Sequence, residues 1–81
     1  MTRDEVYAAL HEIFWDEFDD NTIRLTDETT AEDVEDWDSL EHINLIVAIE
    51  RRFGIQFTMG EVTGMKNVGE TVDIIMERCK L

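Results

Sequence analysis

WDSLEHINLIVAIERRFGI, residues 37–55, is the stretch of this 81-residue chain whose reading decides the fold. Asp38 is a strong N-cap, and Glu41 three residues on completes the spacing of a capping box. Ile43, Ile46, Ile49 or Glu50, and Phe53 then recur at three- and four-residue steps, with Leu45 beside them. Gly54 follows where a helix ends in a left-handed residue. The three isoleucines and Val47 lower helix propensity slightly, so packing must hold this helix.

Before it, residues 5–18 carry Val6, Leu10, Ile13 and Phe14 in an apolar stripe, with Asp4 and Glu5 near the positive end of a helix. Between the two, residues 19–38 have no helical period and consist mostly of Asp, Glu and Thr. Such a connection is long. Ile23, Leu25, Val34 and Trp37 are spaced to pin it to the core, which predicts an ordered loop rather than a linker. After the central helix, Thr58 and Glu61 cap a short third helix over residues 59–63, weakened by Gly60 and Gly64. Asn67 and Glu70 open a last helix whose stripe is Val68, Val72, Ile75 and Met76. The fold class is therefore all-α: a small bundle of three main helices plus one short helix, with a long loop between helices 1 and 2. The expected packing sets Ile43, Ile46, Ile49 and Phe53 against Val6, Leu10, Phe14, Val72 and Ile75.

Composition sets the outer limits. The chain is expected to be one domain, residues 1–81, and an apolar content of 43% supports a folded core. Its longest apolar run, INLIVAI, is too short for membrane insertion, and MTRDEVY lacks the apolar core of a secretory leader. The single cysteine, Cys79, allows no internal disulfide and fits a reducing compartment, so a soluble cytoplasmic monomer is expected. Cys79 shows no activating neighbourhood and reads as a free thiol without a role. Net charge is -13, and residues 1–38 hold 14 of the 20 acidic side chains against two arginines. That field repels nucleic acid and anionic membranes and draws basic protein surfaces toward it.

Metal and catalytic readings fail on spacing. His11-Glu12 has Trp15 where a zinc protease needs its second histidine. A calcium loop begun at Asp19 would place Arg24 at the glycine position and Thr30 at the terminal glutamate. Ser39 has His42 three residues away, but a hydrolase also needs an orienting third group, an oxyanion hole and a pocket. No metal site and no catalytic residue is expected.

Ser39 lies one residue inside the helix cap, where backbone N–H groups lack partners and the helix dipole favours a phosphate. On the residues alone, a solvated serine in an ordinary first turn is the favoured reading. Asp38-Ser39-Leu40, set within residues 37–55, resembles the attachment motif of the acyl carrier protein family, including its free-standing members. The resemblance extends over nearly the whole chain: a first helix, a long loop, a helix ending in Phe53-Gly54-Ile55, a short helix and a last one. It implies that Ser39 carries 4′-phosphopantetheine, added from coenzyme A by a phosphopantetheinyl transferase. The arm would hold acyl groups as thioesters for acyl-loading, condensing or acyl-transferring enzymes, and the protein would be a carrier rather than an enzyme.

Leu40, Asn44, Val47 and Arg51 follow one helix face, and with Glu41 and Glu50 they make the candidate docking surface. Many fatty-acid carriers are acidic along this face and carry a small residue before the aspartate. Asn44, Arg51, Arg52 and Trp37 depart from that pattern, so a specialised pathway fits at least as well as fatty acid synthesis. Polyketide, aminoacyl and peptidyl cargo stay open within the carrier class. Outside it, the rival is a small acidic interaction module that is never modified.

Overall fold

The computed structural model describes residues 2–79. Among them the chain forms four helices and no strand: α1 (Arg3–Phe18), α2 (Ser39–Phe53), α3 (Met59–Gly64) and α4 (Val68–Arg78). Helix α1 starts two residues earlier than the expected residue 5 because Thr2 and Glu5 close a full capping box. The Glu5 N–H donates to Thr2 Oγ1 at 3.2 Å, and the Thr2 N–H donates to Glu5 Oε1 at 2.8 Å. Thr58 and Glu61 repeat the device at α3.

The other two expected boxes form only by half. Asp38 Oδ1 accepts the Glu41 N–H at 2.8 Å, but the Asp38 N–H is already bonded to Asp36 O, so Glu41 has nothing to reach back to. One Glu41 carboxylate oxygen is left buried without a partner among the described residues. Asn67 accepts the Glu70 N–H, while Glu70 Oε2 takes the N–H of Lys66 instead of that of Asn67. A cap needs only the first of these bonds, and both helices start where their cap residues put them.

Helix α1 packs against both α2 and α4. The core between them is Val6, Leu10, Ile13, Phe14, Leu45, Ile49, Val68, Val72 and Ile75, closed on the loop side by Leu25. Two sequence expectations need correction. Ile43 is not a core residue: it is 49% exposed, whereas Leu45 is 1% exposed. Phe53 is only partly buried at the edge of the core. The buried face of α2 thus runs through Leu45, Ile46 and Ile49, because α1 covers that side and the six-residue α3 is too short to roof the helix start.

The long loop is ordered by bonds that the sequence did not announce. His11 Nε2 accepts the Leu25 N–H at 2.9 Å, and the Trp15 indole donates to Ile23 O at 2.8 Å. Leu25 and Val34 are buried, with Ile23 and Trp37 packed on the core. Further on, the carbonyls of Asp27 and Thr29 accept the N–H groups of Gly69 and Val68, at 3.0 and 2.8 Å. Those are first-turn donors of α4 that have no partner inside the helix. The loop therefore caps the last helix while leading into α2.

Candidate functional site: an exposed serine at the start of α2

The loop reaches α2 through a tight turn. Asp36 adopts a left-handed backbone with φ 71°, a conformation that Asp tolerates better than most residues. Asp38 caps the helix, and Ser39, the first helical residue, is exposed. Among the described residues neither the Ser39 hydroxyl nor the N–H groups of Ser39 and Leu40 have a hydrogen-bond partner. The helix begins with two unpaired donors beside a free hydroxyl, and that is what a phosphate ester on Ser39 would use.

Ser39 also stands on the rim of a recess of about 560 Å³, between α2 and the α3–α4 connection. Its lining includes the apolar Ile43, Val62 and Met65 and the polar Lys66, Asn67 and Thr71. A phosphate with a polar, extended arm fits this arrangement: donors at the point of attachment, and a partly apolar hollow next to it.

His42 does not activate Ser39. Its Nδ1 accepts the indole N–H of Trp37 at 3.3 Å, and its Nε2 lies 3.2 Å from Val62 O. Those two bonds require the proton on Nε2, which donates to the carbonyl. With both nitrogens engaged, the imidazole is a tie between the loop, α2 and α3. Sequence reading placed His42 near Ser39 but missed this tie. The available signal was Trp37 and His42 five residues apart across a cap.

The proposed docking residues share a surface. Leu40 is 70% and Val47 41% exposed, Asn44 and Arg51 are exposed, and Ile43 joins them. Glu50 stands apart, since its Oε2 accepts the Phe57 N–H at 2.8 Å and ties α2 to the segment before α3. Arg52 pairs with Glu12 of α1 at 2.9 Å, so Arg51 is the arginine of the two without a carboxylate partner among the described residues. Met59 of α3 adds another exposed apolar side chain.

Carboxyl groups with resolved perturbation lie away from Ser39. The Tyr7 hydroxyl, and then Arg3, hold the Asp27 carboxyl below its usual range. Arg78, and then the Thr58 N–H, do the same for Glu61. Burial, helped by the bond to Asp27, pushes the Tyr7 phenol up to about 12. These groups fasten the loop and α3; none is arranged for proton transfer at the serine. No cluster of three or more His, Cys, Asp or Glu side chains among the described residues could hold a metal ion. Cys79 is a free thiol packed at the edge of the core.

Comparison with known proteins agrees with this geometry. The family model for the phosphopantetheine attachment site matches residues 8–75. An acyl carrier protein of Acidothermus cellulolyticus is 32% identical over 75 residues, 93% of this chain and 89% of that protein. One from Petrotoga mobilis is 30% identical over 81 residues, all of this chain and 95% of its own length. Among solved structures, the holo acyl carrier protein of Geobacter metallireducens is 46% identical and superposes with a TM-score of 0.83, over 89% of this chain and 83% of that one. With the match running from α1 into α4 and containing the whole of α2, the chain belongs to the acyl carrier protein family.

Proposed function

We propose that Ser39 is the residue of this carrier that takes the 4′-phosphopantetheine arm, through a phosphate ester on its hydroxyl. The observation that supports it is the exposed Oγ at the first position of α2, next to two unpaired N–H groups. Members of this family are non-catalytic, and the arm supplies the thiol on which an acyl group travels. The chain itself supplies attachment, orientation and a surface for the enzymes that load and use the cargo. Asp38 fixes the start of the helix, and with it the direction of the Ser39 side chain.

Leu40, Ile43 and Val47, framed by Glu41, Asn44 and Arg51, are the surface on which we place transferase and downstream enzymes. An apolar patch with sparse charge suits short-lived docking, where charge governs encounter and choice of partner. Arg51 disfavours partners that present a strongly basic patch there. A specialised pathway fits these departures at least as well as fatty acid synthesis. The whole chain acts as one monomeric domain in the cytoplasm. No helix among the described residues is long and apolar enough to cross a membrane.

Intact mass after incubation with coenzyme A and a broad-specificity phosphopantetheinyl transferase tests the site. One arm on the wild type and none on Ser39→Ala is expected. An unmodified wild type, beside a control carrier that loads, would leave the unmodified interaction module as the reading.

A further inference from the structure

The recess beside Ser39 ends at a wall, and the wall has two sides. Behind it lies a gap of only about 10 Å³, lined by core residues that include Leu10, Phe14, Leu45 and Ile49. Trp37, His42 and Thr71 line both spaces, so these three side chains are what separates them. The wall is braced on each side. The Trp37 indole donates to His42, His42 bonds to Val62 O, and the Trp37 ring meets Phe14 edge-on at 5.2 Å between centroids.

A gap of this size holds at most about one water. A long alkyl chain could enter the core only by parting Trp37 from His42, leaving the indole N–H and an imidazole nitrogen without partners in a half-buried place. The outer recess is of another kind. Among the described residues the Lys66 ammonium, the Asn67 side-chain N–H groups and the Thr71 hydroxyl have no hydrogen-bond acceptor, and all three residues line it together with Ile43, Val62 and Met65. Unused donors and apolar side chains in one lining suit a short acyl group that carries oxygen.

We propose that this carrier holds short, oxygen-substituted acyl groups in the recess beside Ser39, and that the Trp37–His42 pair is the specificity element that bars long saturated chains from the core. The proposal rests on Ser39 as the attachment residue. It names the cargo class for that site.

The test loads wild type, Trp37→Phe and His42→Ala from 3-hydroxybutyryl-coenzyme A and from dodecanoyl-coenzyme A with a broad-specificity transferase. In each loading the Ser39 Oγ–P bond forms and the P–O–P link of the coenzyme breaks. Adenosine 3′,5′-bisphosphate leaves, and the serine proton goes to solvent. The readouts are the thermal midpoint against the same protein with a free-thiol arm, and the Trp37 indole N–H resonance, identified by its loss in Trp37→Phe. For the wild type, the hydroxyacyl group should raise the midpoint by roughly 4 °C and move the indole resonance, while dodecanoyl does neither. In either variant dodecanoyl should become stabilising by a similar amount. Trp37→Phe keeps an aromatic ring against Phe14 and carries the test if His42→Ala does not fold. Dodecanoyl stabilising the wild type as much as the variants overturns the proposal, as does a wild type indifferent to both cargoes. If the wild type takes no arm at all while a control carrier loads, the attachment reading itself falls, and the cargo assignment with it.

Discussion

The carbonyl oxygen of Asp27 lies 2.8 Å from where a β-carbon on Gly69 would stand. Real Cβ atoms do not come so close, and the obstacle is backbone, so it cannot swing aside. Gly69 lets the loop lie directly on the first turn of α4, where Asp27 and Thr29 take its N–H groups. One glycine thus couples the 20-residue connection to the last helix.

Gly69→Ala should lower stability by about 1–3 kcal/mol, as overpacking does. Gly60→Ala is the control: a β-carbon there meets nothing within 4 Å, and a helical Gly→Ala change gains roughly 0.5–1 kcal/mol. Thermal melts of the two variants should move in opposite directions. A melt of Gly69→Ala that matches the wild type would mean that the loop is not seated on α4.

Tyr7 is the chain's single tyrosine, so its ionisation can be followed by absorbance without ambiguity. Its phenol is raised to about 12, first by burial and then by the bond to Asp27. A raised value means that the folded state prefers the neutral phenol. That contribution is whole below the ordinary tyrosine value of about 10 and is lost as pH climbs from there toward 12. The native protein should show little tyrosinate until close to 12, and Asp27→Ala should bring the transition down. Ionisation near 10 in the intact protein would break the Tyr7–Asp27 link.

Monovalent salt should raise the thermal midpoint. Residues 1–38 carry a net charge of -12, and their repulsion is screened over about 8–10 Å at ordinary ionic strength. Salt also weakens attraction in the pairs Arg3–Asp27, Arg3–Asp73 and Arg52–Glu12, but these are substantially exposed and contribute little to begin with. Repulsion therefore outweighs attraction. A midpoint that falls with salt would reverse this ranking.

Much of this fold was legible in apolar spacing. The stripes of α1 and α4 supply core residues, with Met76 only partly buried, and of the loop anchors Ile23, Leu25 and Trp37 touch the core while Val34 is buried apart from it. Besides the half-buried Phe53 at its end, the reading failed at the start of α2, because three- and four-residue steps back from Ile49 reach Ile46 and Leu45, and a further step reaches Ile43. Spacing alone cannot tell whether a neighbouring element exists to cover that last step. Here none does, and Ile43 lines the recess instead. The loop bonds of His11 and Trp15, and the Trp37–His42 tie, join residues to partners that periodicity does not reveal. The place of Ser39 at the start of α2 was readable because its cap is contiguous with it in sequence; the recess beside it, assembled from three segments, was not.

The register of α2 gives a direct stability contrast. Leu45 is almost wholly enclosed, and Leu45→Ala should cost about 2–5 kcal/mol. Ile43→Ala should stay nearer ~1 kcal/mol, since half of that side chain already meets solvent. Denaturant unfolding of both variants measures the difference. Equal losses would return Ile43 to the core and shift the exposed face of the helix.

That exposed face makes the last prediction. Leu40→Asp and Val47→Asp each place a charge where the structure has an uncovered apolar side chain, so helicity and melting should change little. Loading of Ser39 should slow, because a carboxylate in the middle of a docking patch must lose water when a partner closes over it. Arg51→Glu should act differently, changing the salt dependence of loading more than its rate at high salt, as a charge at the rim of an interface does. Ser39→Ala should abolish loading outright while the Asp38 cap and the helix remain. The measurement is the rate of mass gain with coenzyme A and a transferase at two ionic strengths. Wild-type rates in both Leu40→Asp and Val47→Asp would show that the transferase approaches Ser39 from another side, leaving this face to the enzymes that use the cargo or to none.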